Sequence, residues 1–341
     1  MIPRMTRLLT ASVMAVSALT MSGCAMLQSG TAGVTLNILE EGFTPPALKL
    51  ADADMVCNFA TVNAPLVGAA RTYHGDPSLM EATLYTTASF CSDSQAITEE
   101  LRYMRAVRDK RPDEAQDARI VQKRLLATTA ERQYTAYQRM KTKLEQKYFF
   151  EYGKTCPRFK RDFDELVYLA GTMSGLLAVT NDFQAQQAVG VPTDIAPLAE
   201  YALTCLDNTK WWGVPMAGRA AVWSLLPGGS EGKDVKGTFE ESMRIGEARG
   251  VRLAHVFQAV AAGSSDDQAT VRATIKRFAS VQNFKVNEDY RIFDVMAKMQ
   301  LQNISDRMWT QNTGSRTPFN NLGKFWDEKV KSDINPDAFL D

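Results

Sequence analysis

The chain has 341 residues, and its apolar content of 45% and charged content of 23% are typical of a folded globular protein of one large or two ordinary domains. Its 39 Lys and Arg residues balance 39 Asp and Glu residues, so its net charge is zero. This balance argues against a nucleic-acid-binding protein, whose affinity depends on neutralising phosphates, and against membrane binding through a polybasic surface.

The first residues predict an export signal that ends in a lipid-modified cysteine. Arg4 and Arg7 precede an apolar run over residues 8–19, which is too short for a permanent transmembrane helix of about 20 apolar residues. Residues 19–24, with the sequence LTMSGC, resemble the lipobox of bacterial lipoproteins, in which the Cys receives a diacylglyceryl group and becomes the mature N-terminus. The alternative is an ordinary cleaved signal followed by a chance Cys24.

We therefore expect residues 1–23 to be a lipoprotein signal peptide and Cys24 to carry acyl chains that hold the protein to a lipid bilayer. Ala25, rather than Asp, follows the Cys, and lipoprotein sorting rules then favour the outer membrane. The expected location is exported, lipid-anchored and facing the periplasm. Residues 24–48 are predicted to be the lipidated Cys and a tether, because residues 28–33 are small and polar and two prolines follow Thr44.

Residues 49–311 predict a helical-repeat domain, because apolar residues recur at three- and four-residue steps and strand-like alternation is almost absent. A first helix over about 50–73 is followed by the turn at residues 75–77, and a long charged helix runs from Pro112 to about Tyr148. Between nine and eleven helices are expected in all. The predicted fold class is all-α, with antiparallel helix hairpins stacked as a divergent tetratricopeptide-like α-solenoid or bundle. Residues 312–341 form a polar C-terminal extension.

Four further cysteines favour disulfides, because their number is even in a chain expected to be exported. Cys57 lies 18 residues before Gly75 and Cys91 lies 16 residues after it. An antiparallel hairpin about this turn places the two at nearly the same height, which predicts the pair Cys57–Cys91 and, by elimination, Cys156–Cys205. A zinc site is the competing interpretation, but no pair shows Cys-x-x-Cys spacing. We expect no metal and no other cofactor.

No motif in the sequence predicts catalysis. The histidines, His74 and His255, accompany no Gly-x-Ser-x-Gly elbow. Residues 227–234 do not fit a phosphate loop, because Pro227 replaces its first Gly and Asp234 replaces its Ser or Thr. Glu165, at the apolar start of a helix, is the one candidate acid for a helical cell-wall lytic enzyme. A solvated Glu on a helix is the simpler interpretation. We expect no enzymatic activity.

Three residues are candidates for a ligand groove between stacked helices: Tyr168, Arg219 and Trp223. Stacked helix hairpins can leave an apolar channel for a small ligand. The competing interpretation is that the aromatic rings, which occur at helical spacing, belong to the core.

Short fragments spread over most of the mature chain form an ordered pattern. In chain order they are NAPL at 63–66, GDPSL at 75–79, LVYLA at 166–170, ND at 181–182, LTCLD at 203–207, LPGG at 226–229, FEESM at 239–243 and DRMW at 306–309. In this order and spacing they resemble the T-component lipoproteins of tripartite ATP-independent periplasmic (TRAP) transporters. The resemblance implies tetratricopeptide-like hairpins, a periplasmic location and association with the transporter's solute-binding protein, and it suggests no catalysis.

The sequence therefore predicts a periplasmic, membrane-anchored scaffold lipoprotein. It would dock a solute-binding protein, bind or pass a small, partly apolar ligand, and work as a homo-oligomer without nucleic acid. An alternative is a helical-repeat lipoprotein of outer-membrane protein assembly that binds extended peptides. A cell-wall lytic enzyme is the remote alternative.

Overall fold

The computed structural model describes Leu36 and residues 38–328. The predicted signal peptide, Cys24, most of the predicted tether before Leu36 and the end of the C-terminal extension lie outside the described residues. Within them the chain forms eleven α-helices and no strand. The predicted all-α class is therefore confirmed for this part of the chain.

The helices follow one another with short connections. They are α1 Thr44–Leu48, α2 Ala53–Gly68, α3 Ser78–Arg108, α4 Pro112–Tyr148, α5 Asp162–Gln184, α6 Ile195–Leu203, α7 Val214–Leu225, α8 Val235–Arg249, α9 Ala254–Ser264, α10 Gln268–Ser280 and α11 Arg291–Thr313. A π-helical turn, Leu39–Phe43, precedes α1, and single 3₁₀ segments follow α2 and precede α11. Residues 39–48 of the predicted tether are thus helical.

The turn between α2 and α3 follows the predicted pattern, although α2 is shorter than expected. The Asp52 side chain caps α2 by accepting a hydrogen bond from the Met55 N–H at 2.8 Å, so the helix begins at Ala53. After Gly68 the chain tightens into the 3₁₀ segment Ala69–Tyr73, and His74 then takes a left-handed conformation with φ of 59°. This left-handed residue ends the helical segment and lets the chain reverse.

The two longest helices, α3 and α4, are joined where the sequence predicted a break. Lys110 has a left-handed conformation, with φ of 57°, and Pro112 is the first residue of α4. Arg102 on α3 contacts two carboxylates of α4, with 3.4 Å to Glu114 Oε1 and 3.0 Å to Asp117 Oδ2. These exposed ion pairs connect the end of α3 to the beginning of α4.

The described residues fall into two compact units. Unit 1 contains the described part of Met1–Ser94 with Lys123–Asp207 and Asn287–Ile292, and unit 2 contains Gln95–Gln122, Asn208–Val286 and the described part of Phe293–Asp341. Residues of α3 and α4 therefore contribute to both units.

Unit 1 contains α2, α5 and α6, together with parts of α3 and α4. Small residues let α5 approach α4 closely, because a Cβ atom at Gly171 would lie 2.7 Å from Met140 and one at Gly175 would lie 2.7 Å from Tyr137. The Gly-x-x-x-Gly spacing thus serves helix packing inside this unit. A separate apolar cluster joins α2 to α3 and consists of Leu36, Ala60, Ala64, Val67, Met80, Leu84 and Ala88.

In unit 2, consecutive helices pack against each other as pairs: α7 with α8, and α9 with α10. Helix α9 also packs against α7. Buried Trp211 and Trp212 precede α7, with their rings in edge-to-face contact at 5.4 Å. No helix in the described part of the chain is both long and apolar enough to cross a bilayer.

Candidate functional site

The structure brings together the cysteine pairs that the sequence predicts. The Cα atoms of Cys57 and Cys91 lie 5.6 Å apart, and those of Cys156 and Cys205 lie 5.3 Å apart, both with bonded sulfurs. Among the described residues, no group of three or more His, Cys, Asp and Glu side chains is arranged to hold a metal ion. The cysteines in the described part of the chain therefore cross-link unit 1.

Two of the three predicted groove residues lie together on α7. Arg219 and Trp223 are one helical turn apart, and the guanidinium carbon lies 5.0 Å from the centre of the indole ring. A second cation, the Lys233 Nζ, lies 5.1 Å from the same ring centre. The indole is half-buried and Lys233 is exposed. Two positive charges thus lie next to one aromatic ring at the surface of unit 2.

The loop after α7 brings Lys233 back to Trp223 through a series of tight turns. The N–H of Gly229 donates to the carbonyl of Leu226 at 2.9 Å, and the N–H of Lys233 donates to that of Ser230 at 3.1 Å. A Cβ atom at Gly229 would lie 2.8 Å from the Trp223 carbonyl oxygen, so only glycine fits without displacing backbone. Lys233 was missed from the sequence because no local pattern places its side chain against Trp223.

Both apolar and polar side chains are exposed after Trp223. Leu225 and Leu226 are exposed at the end of α7, two and three residues after Trp223, and Glu231 is exposed in the loop that follows. The opposite face of α7 is buried in a cluster of Ala217, Ala220, Ala221, Phe239, Met243, Ala254 and Ala261, against which the inner part of the indole packs. We call Arg219, Trp223, Leu225, Leu226 and Lys233 the Trp223 patch. The patch combines a fixed aromatic ring, two cations and two exposed leucines.

Tyr168, the third predicted groove residue, is fully buried in unit 1. Its ring contacts those of Phe150, Tyr152 and Phe159 at centroid distances of 6.0, 5.7 and 5.2 Å. Burial raises the pKa of Tyr168, and its hydroxyl group has no hydrogen-bond partner among the described residues. Tyr168 therefore contributes to an aromatic core and not to an exposed surface.

Glu165, the candidate acid, lies half-buried in the first turn of α5. The carboxylate that is fully buried there is the preceding one, Asp164, which the sequence did not indicate. It lies 2.6 Å from Lys147 Nζ and accepts a hydrogen bond from the Tyr148 hydroxyl at 2.6 Å. Burial, followed by this hydrogen bond to Asp164, raises the pKa of Tyr148. The ion pair with Lys147 and the hydrogen bond from Tyr148 therefore connect the start of α5 to the end of α4.

His255 is fully buried on α9 and belongs to an ionic network inside unit 2. Its Nε2 lies 3.0 Å from Glu247 Oε1 on α8, and Arg277 Nε on α10 donates to the same oxygen at 2.7 Å. Burial lowers the pKa of His255. Burial alone would raise the pKa of Glu247, but the hydrogen bonds from His255 and Arg277 outweigh it and lower that pKa to about 2. The network connects three helices.

Comparisons of the chain with protein-family models, curated proteins and solved structures found no match. The resemblance to the TRAP T-component lipoproteins therefore stays a prediction from the sequence.

Proposed function

We propose that this protein is a lipid-anchored helical docking protein of the periplasm, which binds a solute-binding protein of a TRAP-type transporter through the Trp223 patch. The lipobox at Cys24 and the ordered sequence fragments support the location and the class of partner. The observation that carries the proposal is the half-buried indole of Trp223, which has two cations beside its ring and two exposed leucines close to it in sequence.

The composition of the patch suits a protein partner. Trp and Arg are the residues that most often contribute large shares of binding energy at interfaces, and they do so where surrounding groups exclude water. Because the core of unit 2 and two neighbouring cations already hold the indole, little side-chain entropy is lost on binding. The leucines extend the apolar contact area.

The charges of the patch restrict the chemistry of the partner. The exposed Lys233 favours a surface with carboxylates around an apolar cleft that receives the indole. Charge complementarity of this kind acts mainly on the association rate and on specificity, so binding should weaken as salt increases. A small, partly apolar carboxylate carried by the partner would fit the same groups.

The first test measures binding with a variant that removes the indole. Tagged wild-type protein is cross-linked in envelopes, and recovered proteins are identified by mass spectrometry. The purified partner is then titrated calorimetrically against wild type, Trp223→Ala and the control Phe149→Ala, whose side chain is 94% exposed in unit 1. Trp223→Ala should raise Kd by about 30-fold, as expected for an interface residue worth about 2 kcal/mol, and the control should not.

A second pair of variants separates binding from folding. Lys233→Glu reverses an exposed charge of the patch, and Lys154→Glu reverses an exposed charge in unit 1. Only the first should weaken binding, and neither should lower the melting temperature. Recovery of unfolded outer-membrane proteins instead of a solute-binding protein would support the envelope-assembly alternative. Cleavage of peptidoglycan by the wild type but not by Glu165→Gln would support the alternative of a cell-wall lytic enzyme. Either result refutes the docking proposal.

A further inference from the structure

Helix α2 exposes an apolar stripe along its length. Met55, Phe59, Val62 and Leu66 are spaced by four, three and four residues, so they share one face, and 58%, 39%, 65% and 65% of their surfaces are exposed. We call these four residues the α2 stripe. Tyr73, exposed in the 3₁₀ segment that follows, extends the apolar surface beyond the end of the helix.

The rest of unit 1 prevents this stripe from turning inward. On the opposite face of α2, Ala60, Ala64 and Val67 pack against α3, and Cys57 is bonded to Cys91. A rotation of α2 that buried the stripe would break the disulfide and expose this cluster. The outward orientation is therefore a fixed property of the fold.

Exposed apolar side chains are concentrated at this end of the chain. Seven of the 17 large apolar side chains that are exposed in the described part of the chain lie within residues 38–73. That stretch is about one eighth of the described residues. Residues 55–70 include no charged side chain. Such a surface is unusual on a protein that meets only water and indicates an apolar environment.

The proposed lipid anchor brings a bilayer within reach of the stripe. Eleven residues lie between Cys24 and Leu36, the first described residue, and the twelve residue steps from one to the other reach at most about 42 Å. A helix of 16 residues, as α2 is, is about 24 Å long. Of the helices in unit 1 that are longer than two turns, α2 begins closest in sequence to the residue expected to lie at the membrane.

We propose that the α2 stripe inserts into the boundary between headgroups and acyl chains of the bilayer that holds Cys24. The inference rests on the lipid anchor of the proposed function, and it adds a second membrane contact. Lipid-linked proteins commonly combine an acyl chain with another membrane-binding element, and an exposed apolar helix face is one such element. Because the stripe is uncharged, insertion does not depend on headgroup charge or salt.

The bilayer fits this surface better than a second copy of the chain. A standard protein interface uses about 20–30 residues on each partner, whereas the stripe has four large side chains on a single helix. Insertion into a bilayer needs no shape-complementary partner surface, so four side chains are enough to strengthen membrane binding.

The test places a tryptophan on the stripe in the full lipidated chain. Phe59→Trp and the exposed control Phe149→Trp are reconstituted on phosphatidylcholine vesicles with plain or brominated acyl chains, and the emission of the parent protein, which has five tryptophans, is subtracted. Emission of the tryptophan at position 59 should be quenched by the brominated chains at low and high salt. Emission at position 149 should not change. Equal emission of the position-59 tryptophan in both vesicles would overturn the proposal.

Two further measurements separate the possible causes of failure. Mass spectrometry of the N-terminal peptide shows whether Cys24 is acylated; an unmodified Cys refutes the anchor of the proposed function as well as this inference. An acylated Cys without quenching at position 59 refutes only the inference. Val62→Asp with Leu66→Asp, both at exposed positions, should abolish quenching at position 59 while leaving the melting temperature unchanged. If these changes instead convert a dimer into a monomer in sedimentation, the occupant is a second copy and the inference is wrong.

Discussion

The ion pair between Arg252 and Asp294 allows the sharpest test of the energetics of unit 2. Asp294, in the first turn of α11, accepts hydrogen bonds from Arg252 Nε at 3.0 Å, from Nη2 at 2.7 Å and from the Arg252 backbone N–H at 2.9 Å. The guanidinium also lies 3.9 Å from the ring centre of Phe278 and 3.7 Å from that of Phe284. Only 13% and 9% of the Arg252 and Asp294 side-chain surfaces are exposed.

Asp294→Ala removes three hydrogen bonds and leaves a buried guanidinium without its counter-charge. Breaking a buried pair in this way costs about 3–5 kcal/mol, because the remaining ion is desolvated and uncompensated. With an m-value of about 3 kcal/mol/M, the urea midpoint should fall by about 1–1.7 M. Arg252→Met combined with Asp294→Leu removes both charges and should cost less than the single change.

The matched control is an Arg–carboxylate ion pair that is exposed to solvent. Arg244 donates two hydrogen bonds to Glu241, at 2.7 and 2.6 Å, but the two side chains are 65% and 44% exposed. Glu241→Ala should therefore leave the midpoint unchanged, since a solvated pair contributes little. Urea unfolding followed by circular dichroism measures all variants. Equal midpoints for Asp294→Ala and Glu241→Ala would refute the reasoning that burial determines the cost.

Three other predictions concern stability. Below pH 6.5 the unfolded chain protonates His255, and below pH 4.5 it also protonates Glu247, whereas both pKa values are lowered in the fold. The unfolded state then binds more protons, so the urea midpoint should fall with acidification, and below pH 4.5 it should fall less steeply in Glu247→Gln, in which this carboxylate is absent. The two disulfides close loops of 34 and 49 residues, so removing either one should lower the free energy of unfolding by about 4 kcal/mol if the bond acts by restricting the unfolded chain. A difference of several kcal/mol between the two variants would contradict this explanation. Gly213 and Gly190 have the same φ of 76°. A Cβ atom added at Gly213 would lie 2.2 Å from a backbone oxygen, whereas one added at Gly190 would have no atom within 4 Å. Ala should therefore cost about 2–5 kcal/mol at Gly213 and about 1–2 at Gly190, and equal melting temperatures would refute this.

Helix type and helix order could be predicted from the sequence because the determining interactions are local. Apolar spacing, capping residues and prolines act within a few residues, and they placed the break before Pro112 and the turn at residues 75–77. The same turn predicted which cysteines meet, since helical rise is constant on either side of it. Boundaries were less accurate: α2 begins at Ala53 and ends at Gly68, inside the expected range of 50–73.

The components of the Trp223 patch were only partly predictable. Arg219 and Trp223 lie one helical turn apart, so their proximity follows from a local period. Lys233 reaches the indole only because successive turns fold the loop back, and that depends on three-dimensional closure that composition does not reveal. The sequence does not show whether the aromatic ring of Tyr168 faces a groove or the core. The ring is fully buried because the rings of other residues of unit 1 cover it.

The sequence by itself determined that the described chain is helical, where its helices break and which cysteines pair. Tertiary structure decided which face of each helix is buried. Helix α2 has apolar residues on two faces, 55/59/62/66 and 57/60/64/67, so its periodicity does not decide which of them meets water. The disulfide at Cys57 and the contacts of Ala60 with α3 turn one side inward and leave Phe59 and Val62 exposed. Tertiary structure also decided the contact between Arg252 and Asp294, because the two residues are 42 positions apart in the sequence and meet only in the folded unit.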